Sequence, residues 1–162
     1  MTQAARRVTK PVIVTPPPKE EAVPPYALAR LSEIPPVAEP EPGSYAWIPI
    51  RHELGVSAFG VNAWVGRNVG DQVIEPHRET PDGEAGVAQA QEELYFVTSG
   101  HATFTIDGEV VEAPAGTLVF VREPEAMREA VAREAGTTVL AVGAPVGEGF
   151  EVAPWESKHF SD

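Results

Sequence analysis

Turn residues cut the middle of this chain into pieces too short for anything but β-structure. Ser99-Gly100, Asp107-Gly108 and Pro114-Ala-Gly116 separate Glu93–Thr98, Ala102–Ile106, Glu109–Glu112 and Thr117–Val121, runs of four to six residues each. Runs of that length fit single strands and are too short for amphipathic helices. Side chains alternate across a strand, so Glu93 shares a face with Tyr95 and Val97. A carboxylate on an inward, otherwise apolar face is costly unless something pairs with it. Glu93 therefore marks the place to look for a site.

The same punctuation runs from Tyr45 onward and predicts strands near 45–50, 56–64, 72–75, 93–98, 102–106, 109–112, 117–121, 128–132 and 137–142. Many short strands at regular spacing read as an all-β sandwich or barrel. No ten-residue amphipathic helix stands out, and residues 83–92 read as a helical turn or a loop. The preceding part differs in kind. Ten of the 17 prolines fall before residue 44, which removes backbone donors, fixes φ and predicts an extended arm. The apolar patch Tyr26–Leu31 within it reads as a single turn or a docking segment. The division is then a Pro-rich arm over 1–43, a barrel over 44–147 and a tail over 148–162, with Pro154-Trp-Glu156 tacking the tail down.

Charge narrows the partners. The arm carries equal numbers of basic and acidic residues, so the net charge of −12 belongs to the barrel and tail. Such a body repels phosphate backbones, which argues against nucleic acid. With no cysteine, thiolate ligands and nucleophiles are excluded. No apolar run suits a bilayer span or a signal-peptide core, so a soluble, cytoplasmic protein is expected.

Two motifs give the barrel a family likeness. Residues 45–145 resemble a single-domain cupin, and more narrowly a group of bacterial cupin-domain proteins with a Glu-Glu-Leu-Tyr run. The resemblance implies a double-stranded β-helix, the cupin jelly roll. Its first motif has a His-x-His pair and then a Glu seven residues before a glycine, matched here by Glu93 and Gly100. Its second motif opens on a glycine, matched by Gly116-Thr-Leu-Val-Phe-Val121, and ends in a third His.

The departures fall on the ligand positions. His77 stands at the first His, Glu79 replaces the second, and Met127 occupies the third, while thirteen residues separate Glu79 from Glu93. The resemblance thus implies an impaired metal site of His77, Glu79 and Glu93. Iron, manganese, nickel and zinc all accept imidazole and carboxylate, whereas a thioether suits such ions poorly. The ligand-pocket set becomes His77, Glu79, Glu93, Tyr95 and Met127, with barrel filling as the alternative for Met127. Trp47, Trp64 and Trp155, with Phe59 and Phe104, read as barrel packing or as an aromatic pocket wall. His101, beside a turn, reads as exposed.

Three functions stay open on this reading. The first is a small-molecule binder without a resident cofactor. The second is a metal-dependent oxygenase, isomerase or lyase using His77, Glu79 and Glu93. The third is an assembly protein whose arm contacts a neighbouring subunit or another protein. The family likeness makes a homodimer the default expectation, and covering a sheet edge gives it a physical reason.

Overall fold

The computed structural model describes residues 25–37 and 45–160. Nine strands form: β1 (Tyr45–Ile48), β2 (Gly60–Gly66), β3 (Gln72–His77), β4 (Glu92–Ser99), β5 (His101–Ile106), β6 (Glu109–Pro114), β7 (Leu118–Val121), β8 (Arg128–Ala132) and β9 (Thr137–Ala144). They pair antiparallel into a five-stranded sheet, β1-β2-β9-β4-β7, and a four-stranded sheet, β3-β8-β5-β6. The inner faces meet in one core built from Val73, Tyr95, Val97, Phe104, Val139 and the alanines between them. This is a jelly-roll barrel, as the strand spacing requires. Among the described residues no helix is long and apolar enough to cross a membrane.

All nine expected strands are present, with one substantial correction. The segment expected to run as strand through Ile50 and again from Val56 contains a helix, α1 (Ile50–Leu54). Gly55 ends it at φ +67°, with its N–H bonded back to the helix, the left-handed stop that glycine adopts most cheaply. Strand β2 begins only at Gly60. A second short helix, α2 (Pro154–Ser157), lies in the tail.

Most of the proposed arm, residues 1–24 and 38–43, lies outside the described residues. The part between them docks on the barrel by a residue other than those expected. Tyr26 and Leu28 are exposed, whereas Ile34 is buried against Ile48, Ile50 and Ala63. Val37 N–H also donates to the Trp47 carbonyl at 3.2 Å, so this segment covers part of the β1 edge.

Candidate functional site

The cavity arises from a gradient of side-chain size along the inner face of the five-stranded sheet. In one cross-strand row Val97, Val139 and Trp64 stand side by side; two residues further along come Tyr95, Ala141 and Asn62. The next row is Glu93, Gly143 and Gly60. Side-chain volume falls toward the mouth, and a cavity of about 520 Å³ opens there. That volume lies within the usual range for small-molecule pockets. Gly143 has a second reason to be glycine, because a Cβ would lie 2.9 Å from Gln91 Oε1.

The four-stranded sheet supplies His77 through an irregularity. Ile74 pairs with Ala130 and His77 with Arg128, so β3 spends three steps where β8 spends two. Strict alternation from Ile74 would turn residue 77 outward; the extra residue restores it to the inner face. Pro76, which cannot donate to a ladder, lies in this bulge. Glu79 follows on a clamped backbone: its N–H bonds the Pro124 carbonyl and its carbonyl accepts from Gln91, both at 3.0 Å.

These elements bring His77, Glu79 and Glu93 together, with one donor atom from each lying within 4.8 Å of the others. His77 Nε2 is 3.2 Å from Glu79 Oε1 and 3.6 Å from Glu93 Oε2. Its Nδ1 is 2.6 Å from the Glu75 carbonyl oxygen, so Nδ1–H donates there and Nε2 is turned toward the carboxylates. Tyr95, fully buried beneath them, donates its hydroxyl to Glu93 and lies 3.4 Å from His77 Nε2.

Electrostatics follow from this crowding. Burial alone would lower the His77 pKa, but hydrogen bonds to Glu79 and Glu93 and their charges outweigh it and raise it to about 10. Burial and then the neighbouring Glu93 charge push Glu79 upward, against hydrogen bonding and charge from His77 and the charge of Arg128. Tyr95 is held well above its ordinary value by burial and then by Glu93. Its phenol therefore stays a donor.

Met127 does not take the place expected of it. It lines no part of the cavity, and its N–H is bonded to Asp107 Oδ1 at 2.9 Å outside the barrel interior. The inward position one residue on belongs to Arg128, whose face of β8 it shares with buried Ala130 and Ala132. Arg128 is 0% exposed, and its Nη2 donates to the carbonyls of Glu123 and Pro124 at 2.9 and 3.3 Å. Its Nε and Nη1 have no hydrogen-bond partner among the described residues. Reading β8 by period two from its alanines would have found Arg128 in the sequence. Tyr95 too lies below the cavity rather than on its wall.

Two sequence-distant segments close the mouth. The loop expected after Glu79 contributes Glu84 to Val87, and the tail contributes Phe150, Trp155 and Glu156. Glu156, itself buried, pairs with Arg51 of α1 at 2.6 Å. Trp155 packs edge-on against Trp47 at 5.0 Å. Trp47, Trp64 and Trp155 thus all face the cavity, while Phe104 packs against Tyr95 in the core and Phe59 is partly exposed. His101 lies away from the site, bonded to Glu112 at 2.7 Å.

The donor types and their spacing suit a divalent ion, and the anchored Nδ1 is the outer-shell contact that metal-binding histidines commonly make. The charges work the other way. His77 already lies against both carboxylates and the charge of Arg128 acts on Glu79, so an ion would compete with the proton held on His77 and add to the positive charge near Glu79. His77, Glu79 and Glu93 would hold such an ion, which would polarise an oxygen of a bound ligand.

No protein-family model matches the chain, and no curated protein is significantly similar. Solved structures do match. A cupin protein from Bacteroides fragilis superposes with a TM-score of 0.53 at 18% identity, covering 82% of this chain and 96% of the other. An uncharacterized conserved protein with a double-stranded β-helix domain from Klebsiella pneumoniae gives 0.53 at 18% identity, covering 78% and 96%. Sheet topology, inward motif residues and these likenesses agree: the chain has the cupin fold.

Proposed function

We propose that this protein binds a small molecule in the barrel cavity, above a floor of His77, Glu79 and Glu93 whose charge is balanced from within the protein. The observation that carries this reading is the arrangement of Arg128. A guanidinium buried at the inward end of β8 acts through its charge on Glu79, and His77 lies against both Glu79 and Glu93. The floor then needs no further charge, and the space over Gly60 and Gly143 beside it remains for a ligand. A thermal-shift screen against uncharged and charged metabolite-like compounds tests this. A ligand stabilises in proportion to the logarithm of its concentration over its dissociation constant. Ala141→Leu, which fills the cavity from β9, should abolish the shift while the barrel stays folded. A shift that survives Ala141→Leu places binding elsewhere.

A second reading is favoured by the convergence of three donor atoms within 4.8 Å. On that reading the floor holds a divalent metal, and the protein is a metal-dependent cupin enzyme. Elemental analysis of the purified protein separates the two. Near-stoichiometric iron, manganese, nickel or zinc that is lost in Glu93→Gln supports the second reading; metal-free, ligand-responsive protein supports the first.

A further inference from the structure

Four strands end the two sheets, and three of them are guarded against further pairing. At β1 the Val37 N–H bonds the Trp47 carbonyl. Strand β3 is bulged and carries Pro76, and β6 exposes Glu109 and Glu112. Cover, bulges, proline and charge are the usual protections of a sheet edge. Strand β7 has none of them. Leu118, Val119, Phe120 and Val121 keep a regular register with β4, and among the described residues no backbone bond joins them to anything else.

The outer face beside that edge is apolar. Ile48, Ala63, Leu140, Phe96 and Leu118 form one cross-strand row, and Val61, Val142, Leu94 and Phe120 form the next. Ile34 covers the first row at its β1 and β2 end, where Ile48 and Ala63 are buried. At the other end Leu118 and Phe120 are 62% and 48% exposed, with the Arg122 guanidinium over the Phe120 ring. The cover stops partway along a continuous surface.

The sequence supplies a segment of the right size and charge to continue it. Residues 1–24 lie outside the described residues. Within them Val12, Ile13, Val14 and Thr15 stand between Pro11 and Pro16. Four β-branched residues suit a strand, and they match β7 in length. Arg6, Arg7 and Lys10 precede them, and no acidic residue occurs before Glu20. Run antiparallel to β7, this segment sets its cations toward exposed Glu123 and Glu125. Its other end then meets Leu118, on the row that Ile34 already covers in part. Three strand spacings, about 14 Å, separate β7 from β2, and nine residues of extended proline-rich chain span about 28 Å. So short a tether gives an effective concentration on the order of millimolar, which favours this segment over a second copy of the chain.

We propose that residues 12–15 of the same chain add to β7 as a sixth strand, by strand addition at an open edge. Hydrogen exchange of the full chain tests the pairing. Alternate amides of an edge strand point away from its neighbour. Those within residues 118–121 should exchange at least about tenfold faster in Ile13→Pro, because a strand interior does not accept proline. The chain has no cysteine, so Val14→Cys with Leu118→Cys gives a unique pair for a short thiol cross-linker. At micromolar protein the product should be a cross-linked monomer. A cross-linked dimer would place the segment of a second copy on β7. Unchanged exchange in Ile13→Pro, or no cross-link, would show that the segment does not pair there. A dimer that persists in Ile13→Pro and dissociates in Leu118→Asp would give the face to a second copy. Each of these last results overturns the proposal.

Discussion

Two histidines in this chain face glutamate, and the contrast between them shows what burial does. His101 and Glu112 approach to 2.7 Å with side chains 30% and 59% exposed. His77 approaches Glu79 and Glu93 less closely, at 3.2 and 3.6 Å, yet these side chains are 14%, 10% and 9% exposed. The shorter contact is the weaker one. Water screens the His101 pair and stabilises its separated charges, so such pairs contribute at most about 1 kcal/mol. Around His77 no such alternative exists, and each charge depends on its neighbours.

The contrast can be broken most forcefully at Arg128. Arg128→Met removes a buried cation and leaves two buried carboxylates facing one imidazolium. The expected destabilisation is about 3–5 kcal/mol, read from urea denaturation. A loss below 1 kcal/mol would mean that Arg128 does not compensate the floor.

The next effect is one of pH. The His77 pKa is raised to about 10, so its contribution to stability is complete below its unfolded value near 6.5. That contribution is lost as pH rises through about 10. The same direction follows from the raised Glu79. Stability should therefore fall between pH 7 and 10, on the order of 1 kcal/mol per unit. The double variant Glu79→Gln, Glu93→Gln should flatten the curve. An equally steep fall in that variant would assign it to other groups.

A smaller and more local effect is expected from Arg51→Ala. Removing this partner leaves the Glu156 carboxylate buried in the tail, at a cost of about 1–3 kcal/mol. The cost should appear as faster hydrogen exchange over residues 153–157 with little change in core strands, since segments open separately from the barrel. Uniform acceleration would show instead that the tail is integral to the fold. Smallest of all, Glu112→Gln should shift global stability by less than about 1 kcal/mol and leave ligand-induced thermal shifts unchanged. A larger loss than that of Arg51→Ala would invert the comparison.

Much of the barrel could be read before the structure, because glycine turns and period-two alternation both report on backbone geometry that local sterics enforce. Helix α1 escaped because Ile50-Arg-His-Glu-Leu carries no periodic face long enough to outweigh neighbouring strand residues, and only Gly55 marks its end. His77, Glu79 and Glu93 were legible from motif spacing. Arg128 was not, for a reason of register. Counting from Gly116 along a motif places Met127 at the third ligand position, and a slip of one residue exchanges the two faces of a strand. The closing of the mouth by the tail was legible only in outline. It joins Trp47 to Trp155 and Arg51 to Glu156 across more than a hundred residues, and composition carries no trace of such pairing.

Because Phe150, Trp155 and Glu156 complete the cavity wall, the proposed occupation of the pocket would share one equilibrium with docking of the tail. A ligand touching Trp155 finds its full site only in the fraction of molecules whose tail is seated, and its apparent affinity is reduced by that fraction. By reciprocity, a bound ligand holds the tail down. On the ligand-pocket reading, the Arg51–Glu156 pair, remote from the floor in sequence and chemistry, would set how tightly the barrel retains its ligand.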